Sequence, residues 1–504
     1  MNAWISQELA TVDLGDKRLD KRCQRILERC FNSPQASLCG AMRGHAEVMA
    51  ASRFFDHPNV TAATLLRPHR DATLERVRTQ ERVLVIQDTM ELDYTNQTQL
   101  QGRGPLNSET RLGFLVHTQY VVNAQRLPLG VWDTDIFARE RLQEITSNHK
   151  QRDYEDKESY RWLEGYLQAC ALAAAAPGVE VISLSDREGD VYEVFVEHAR
   201  RVAAQEPAAQ FVIRCCQKER TLAAREDETE ALKLAAQVNQ GPVLGTIEFD
   251  ITSKIQTKRV LGKNTQVFRQ GRHVVQEIRA CPLELKPPWR KGASLPPVSL
   301  WAVSAKEINT PDGQDPIDWL ILTSLPVRNF AEAHAILDLY LARWEIEVFH
   351  KTLKSGCTIE KLQLKEEERL KPALALYMVV AWRLLYLTKL GRECPELPCD
   401  AVFEEAEWKS LVVIAKGRPA LAKKPTLGEL ILLIAQQGGY RGCKNDGPPG
   451  PQVMWLGLRS LQHYATAWKA FGPTEDAGAS PGDGPKTHPP PKPTTTPKKP
   501  TARG

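Results

Sequence analysis

The sequence predicts a mixed α/β chain with helical segments at both ends, and three observations carry that prediction. Apolar, strand-like runs at 82–87, 114–122 and 127–133 precede a helical stretch at 156–174 and a further strand at 179–185. Alternation of apolar and polar residues returns between 243 and 280, in the manner of antiparallel strands. Residues up to about 70, and again from about 366 to 471, show helical spacing instead. With 504 residues there is room for about two to four such units and for a large core.

Taken in order, residues 1–70 read as helical. Asp13-Leu14-Gly15-Asp16 is cap-like, and the stretch from Lys17 to Cys30 places Leu19, Ile26 and Leu27 on an apolar side. Its polar side carries Lys17, Arg18, Lys21, Arg22, Arg25 and Arg29 against only Asp20 and Glu28, so the helix is locally basic. Formal net charge is only +4, which excludes a uniformly basic protein and leaves nucleic-acid affinity to such local patches. An ordinary solvated helix has the same composition.

The strand Arg82-Val83-Leu84-Val85-Ile86-Gln87 runs into Asp88-Thr89, and Val179-Glu180-Val181-Ile182-Ser183-Leu184-Ser185 runs into Asp186-Arg187-Glu188-Gly189-Asp190. Taken singly, an Asp in that position is usually a turn or helix cap. His117, inside the strand 114–122, reads as a satisfied, half-buried histidine. After Phe211-Val212-Ile213-Arg214 come the alternating runs Val243 to Ile251, Gln266 to Arg269 and His273 to Ala280. Between Ile251 and Gln276 stand six basic residues, Lys254, Lys258, Arg259, Lys263, Arg269 and Arg272, and no acidic one. That pattern suits a solubilising hairpin or a surface for a polyanion. Trp301 and Trp319 open two short strands, and 318–324 leads toward a helix at 340–354.

On one continuous helix Tyr340, Arg343, Glu347 and Lys354 would fall within roughly a 60° arc. Glu347 can hold a cation there while the basic groups hold phosphate oxygens; a solvated charged stripe is the plainer alternative. Two strand-end aspartates and one helical glutamate, from three separate elements, are what a divalent-cation site for phosphodiester chemistry requires. Beyond Lys354 the chain is mostly helical. Eleven cysteines lack Cys-x-x-Cys or zinc-like spacing and are expected to be reduced thiols. The start, Met1-Asn2-Ala3-Trp4, has no signal-peptide pattern. The longest apolar run, Ala373 to Trp382, stops at Arg383, so a soluble chain is expected. From 472 to 504 Pro, Thr, Gly and Lys dominate, too polar to bury a core, and disorder is expected.

These residues carry a resemblance. The spacing Tyr340, Arg343, Glu347, Lys354 resembles the tyrosine-arginine-glutamate-lysine signature of bacterial insertion-sequence transposases, the cut-and-paste DDE enzymes that include the transposon-five transposase. Asp88 in Val-Ile-Gln-Asp-Thr and Asp186 in Ser-Asp-Arg-Glu-Gly-Asp resemble that family's first two catalytic aspartates, and the similarity covers most of residues 10 to 470. The resemblance implies an RNase H-like catalytic domain at 71–365, with a β-strand insertion at about 240–300. It implies a helical DNA-binding domain at 1–70, including Arg53 to Val60, and a helical C-terminal domain at 366–471 with dimer contacts.

By the same resemblance Asp88, Asp186 and Glu347 would coordinate two Mg²⁺ ions about 4 Å apart, with Mn²⁺ able to substitute, to activate the attacking oxygen and stabilise the leaving one. Arg343, Lys354 and Tyr340 would contact the DNA end. Arg22, Arg25 and Arg29, with Lys258 and Arg259 of the insertion, would add DNA contacts, and Trp319 matches a tryptophan that receives a flipped base. The implied partners are double-stranded DNA, as transposon ends and target, and a second copy of the chain in a homodimer. No membrane is implied, and the expected location is the bacterial cytoplasm, on DNA. Two other readings stand beside this one: an inert DNA-binding regulator or relic, and a nuclease on the same fold, which would leave the basic insertion unexplained.

Overall fold

The computed structural model of the chain describes residues 2–108, 110–139, 157–223, 232–260, 263–289, 294–443 and 446–473, so the tail expected to be disordered lies outside the described residues from 474 onward. The helices α1 (Ala3–Glu8), α2 (Lys17–Asn32), α3 (Leu38–Ala41), α4 (Gly44–Phe55) and α5 (Ala62–Arg78) open the fold. Asp16 caps α2 by accepting the Arg18 N–H, and the helix buries Cys23, Ile26, Leu27 and Cys30 along one stripe. Residue 70, the expected boundary, falls in the middle of α5.

One large sheet follows, built from β1 (Arg82–Asp93), β2 (Gly104–Pro105), β3 (Leu112–Asn123), β4 (Pro128–Phe137), β5 (Glu180–Ser185), β6 (Gln210–Arg214), β7 (Gly245–Ile251), β10 (Arg272–Leu285), β11 (Val298–Glu307) and β12 (Asp318–Thr323). A separate hairpin, β8 (Lys254–Val260) with β9 (Lys263–Arg269), extends between β7 and β10. The sheet order is β2-β3-β1-β5-β6-β12-β11-β10-β7, with β4 also on β3. β1 is antiparallel to β3 and parallel to β5, and β5 is parallel to β6.

The apolar run of β1 is buried on both faces, as a central parallel strand must be. Leu84 and Ile86 join one core, and Val83 and Val85 the other. The second core is covered by α6 (Tyr160–Ala175), α7 (Tyr192–Ala203) and α8 (Leu234–Gln240), through Trp162, Tyr166, Phe195 and Leu234. One expectation needs correction here: β1 does not stop before Asp88. Its parallel partner ends at Ile86, but pairing with β3 continues to Asp93, because Met90 and Leu92 keep the inward period of two.

The helix expected across 340–354 is also not continuous. α9 (Phe330–Leu341) ends just after Tyr340, α10 (Trp344–Lys351) begins after Arg343, and Thr352–Gly356 forms a π turn. At the break the chain tightens to three-residue spacing, with the Arg343 N–H on the Tyr340 carbonyl at 3.0 Å and the Glu345 N–H on Ala342 at 3.0 Å. In the π turn the Cys357 N–H instead reaches back five residues to Thr352.

The C-terminal helices are α11 (Glu367–Glu393), α12 (Glu405–Lys416), α13 (Leu427–Gln437) and α14 (Pro451–Phe471). α11 is long and apolar enough to cross a membrane by length and composition, yet 89% of that window is buried inside the fold, so it is a core helix. It packs on α2, α5, β4, α13 and α14. The helix continues past Arg383, which is itself buried, its guanidinium lying 5.0 Å from the Trp4 ring and 5.5 Å from Tyr386. A single apolar cluster therefore runs from the N-terminal helices across one face of the sheet into the C-terminal helices.

Candidate active site

β1 and β5 bring two aspartates together by register alone. Ile86 lies opposite Leu184, the last parallel pair, so Asp88 and Asp186 each follow two residues beyond it, near enough for the Asp186 charge to act on Asp88. Asp186 caps the short turn Arg187–Gly189, its carboxylate accepting the Glu188 N–H at 2.9 Å. Behind Asp88, Gln87 donates to Ser183 at 2.8 Å, which ties β1 to β5, and His117 contacts both Thr89 (2.9 Å) and Gln87 (3.3 Å). His117 is thus satisfied, as its strand context suggests, but buried and not half-buried.

The third acid arrives on α10. Ile346 and Phe349 are fully buried, and the Phe349 ring stacks on Tyr120 of β3 at 4.5 Å, which seats the helix over the sheet. That seating brings Glu347 to Asp88. Arg343 lies between them, 3.5 Å from Asp88 and 3.3 Å from Glu347. Burial, with repulsion from Asp186 and Glu347, pushes the Asp88 carboxyl up to about 7, against the opposing pull of Arg343 and the Thr89 N–H. Three carboxylates gathered with one partial counter-charge form a site that a cation would relieve.

The remaining signature residues take different positions. Tyr340 is 5% exposed and packs edge-on against Trp319 at 5.5 Å, so its ring supports Trp319 instead of standing on a free surface. Lys354 sits in the π turn, 3.8 Å from Glu360. Sequence reasoning gave His350 no role, although it is buried three residues after Glu347. A ligand atom of His350 and carboxylate oxygens of Asp88 and Glu347 lie within 4.8 Å of one another. Burial, together with the nearby positive charges of Lys354 and Arg343, lowers its imidazole to about 3, so the ring is neutral. The available signal was the Glu-x-x-His spacing on a helix.

Beside the acids a groove opens between the strand insertion and α9–α10. Phe249, Phe268, Trp319, Leu341 and Trp344 line it, with Arg187, Arg214, Lys218, Lys254 and Arg269 among them. Trp344 and Phe268 are 63% and 59% exposed, which is a large apolar display for a charged surface. Lys258 and Arg259 lie on β8, but their side chains are outside the described residues. On α2, Arg29 is held bidentate by Glu47 at 2.9 and 3.0 Å, Arg22 donates to the Ala50 carbonyl at 3.3 Å, and Arg25 is exposed.

Two family models match this chain. One, described as "Transposase DNA-binding", matches residues 1–60, which cover α1 to α4. The other, described as "Transposase Tn5 dimerisation domain", matches residues 379–470, from the middle of α11 through α14.

Proposed function

We propose, for a chain that belongs to the family of the transposon-five transposase, that it binds the ends of a DNA element and acts on them by metal-dependent cleavage and strand transfer, as a cut-and-paste DDE transposase. The observation that carries this reading is the meeting of Asp88, Asp186 and Glu347 around an Asp88 carboxyl whose charge Arg343 only partly balances. The strand order β4-β3-β1-β5-β6, with its antiparallel half joined to a parallel half, supports an RNase H-like core, since that order lets Asp88 within β1, Asp186 just past β5 and a later helix share one face.

The donor set fits a divalent cation such as Mg²⁺: hard carboxylate oxygens, gathered at partly buried positions, with their mutual repulsion still unrelieved. Asp88, Asp186 and Glu347 would hold it, and when bound it would supply Lewis acidity and a more acidic water at the scissile phosphate. The chain's own groups position the DNA. Arg343 lies beside the acids and Lys354 near His350, and charge-assisted bonds from both to phosphate oxygens would hold a strand in line. The aromatic and basic groove suits a strand that leaves the duplex, with Trp319 and Trp344 as stacking surfaces and Arg214, Lys218 and Arg269 facing its backbone. Residues 1–60 would grip the ends and 379–470 would pair two copies of the chain, on DNA in the bacterial cytoplasm.

The test uses purified protein and the DNA flanking its own coding region, with Mg²⁺ or with EDTA. Metal-dependent nicks at defined ends are expected, and Asp88→Ala, Asp186→Ala or Glu347→Ala should each lose cleavage while end binding stays within a few-fold. A variant that cuts at near wild-type rate removes that residue from the site. Binding without cleavage by the wild type favours an inert regulator.

A further inference from the structure

One buried group beside the acids has no part in holding DNA or in the carboxylate cluster. His350 is 6% exposed, and its Nε2 has no hydrogen-bond partner among the described residues. Buried ring nitrogens are normally satisfied by protein, water or a metal, so this one calls for a ligand. Its surroundings indicate which kind: among the described residues the group formed by Asp88, Glu347 and His350, with ligand atoms within 4.8 Å of one another, has the composition of a cation site. Glu347 and His350 stand three apart on α10 and so project over the same helix face. Glu-x-x-His is the spacing by which single helices supply a carboxylate and an imidazole to one ion in carboxylate-bridged metal bundles.

We propose that His350 is a metal ligand, so that the cation held by Asp88 and Glu347 is also bound through an imidazole nitrogen. This rests on the reading of the acids as a cation site and deepens it. The two sides of the acid cluster then differ in chemistry. The Asp186 side offers carboxylate oxygen, suited to Mg²⁺, while the Glu347 side adds a borderline nitrogen donor that shifts preference toward first-row transition ions. Packing keeps the ring in place, because Phe349, the residue before it, is stacked on Tyr120. His117, a second histidine close to the acids, has both ring nitrogens engaged, by Thr89 and Gln87, and serves as the control.

The test is Mn²⁺ binding to the full-length chain, followed by titration calorimetry and by pulsed electron paramagnetic resonance, which detects ¹⁴N of a directly coordinated imidazole. The wild type and His117→Gln should show that coupling. His350→Gln and His350→Phe should lose it, and their Mn²⁺ affinity should fall at least about tenfold, with Mg²⁺ affinity moving by no more than about twofold. Bound Mn²⁺ without nitrogen coupling in the wild type, or coupling that survives in the folded His350 variants, overturns the proposal. If Mn²⁺ still depends on Asp88 and Glu347 in that case, the acid site stands without the histidine. A wild type that binds neither ion overturns both.

Discussion

Replacing Asp88 by Asn should make the metal-free protein more stable. The Asp88 carboxyl is raised from 3.8 to about 7, because burial and two neighbouring carboxylates disfavour its charge. Asn keeps an oxygen for the Thr89 N–H and leaves Arg343 its contact with Glu347. The folded state holds this proton more tightly than the unfolded state does. The contribution of Asp88 is therefore intact below about pH 4 and lost as pH rises through about 7. A rise of that size corresponds to roughly 4 kcal/mol at pH 8. For a chain of this length, melting with an entropy of roughly 1 kcal/mol per degree, it amounts to about 4 °C. Scanning calorimetry of wild type and Asp88→Asn from pH 4 to 8 in EDTA should give curves that coincide at the acid end and separate as pH rises. Adding Mg²⁺ or Mn²⁺ should raise the wild type and leave the variant unmoved. A variant less stable than wild type at pH 8, or a gap that does not change with pH, would refute the electrostatic account.

Other expectations follow from single side chains. Neutralising Arg25 or Arg22 should flatten the salt dependence of DNA binding by about 0.9 for each phosphate no longer neutralised; an unchanged slope would place that part of α2 away from DNA. Arg29→Ala should leave the slope alone and weaken the N-terminal helices instead, since its hydrogen bonds hold Glu47 down to about 2. That stabilisation is present above the ordinary Glu value of 4.5 and disappears as pH falls toward 2. Trp319→Ala should spare the first nick and block the later step that needs a base flipped out of the duplex, read on a denaturing gel; parallel loss of all products from a protein with a lowered melting temperature would make Trp319 a packing residue only. Gly165→Ala would set a Cβ 2.0 Å from Gln87 Oε1. It should cost on the order of 2 kcal/mol of stability and disturb the strand behind Asp88; an unaltered melting temperature would count against that network.

Much of the sheet was legible in the sequence because strand signals are local. The run before Asp88 is apolar at every position from Val83 to Ile86, as a strand covered on both faces has to be, and its extension to Asp93 could have been read from Met90 and Leu92. The break at Arg343 was not legible. Helical spacing holds on both sides of it, and what the turn accommodates is an arginine directed at an aspartate on β1, far away in the chain. The packing of Tyr340 was not legible for the same reason. Its place in the signature says nothing of Trp319, which β12 carries against it.

The sequence by itself determined most of the elements and the chemical inventory: which strands lead to acids, which segment carries Glu347, where basic residues gather. Those properties depend on neighbours a few residues away, through side-chain alternation, capping and charge spacing. Only the tertiary structure decided which charges are buried together. That Asp88 resists ionisation, that Arg343 is shared between two carboxylates, that Arg29 is committed to Glu47 and that a His350 nitrogen has no partner among the described residues all follow from desolvation and through-space distance. These quantities are set by how α10 is pressed against β1 and β3 and α2 against α4, and no local pattern encodes them.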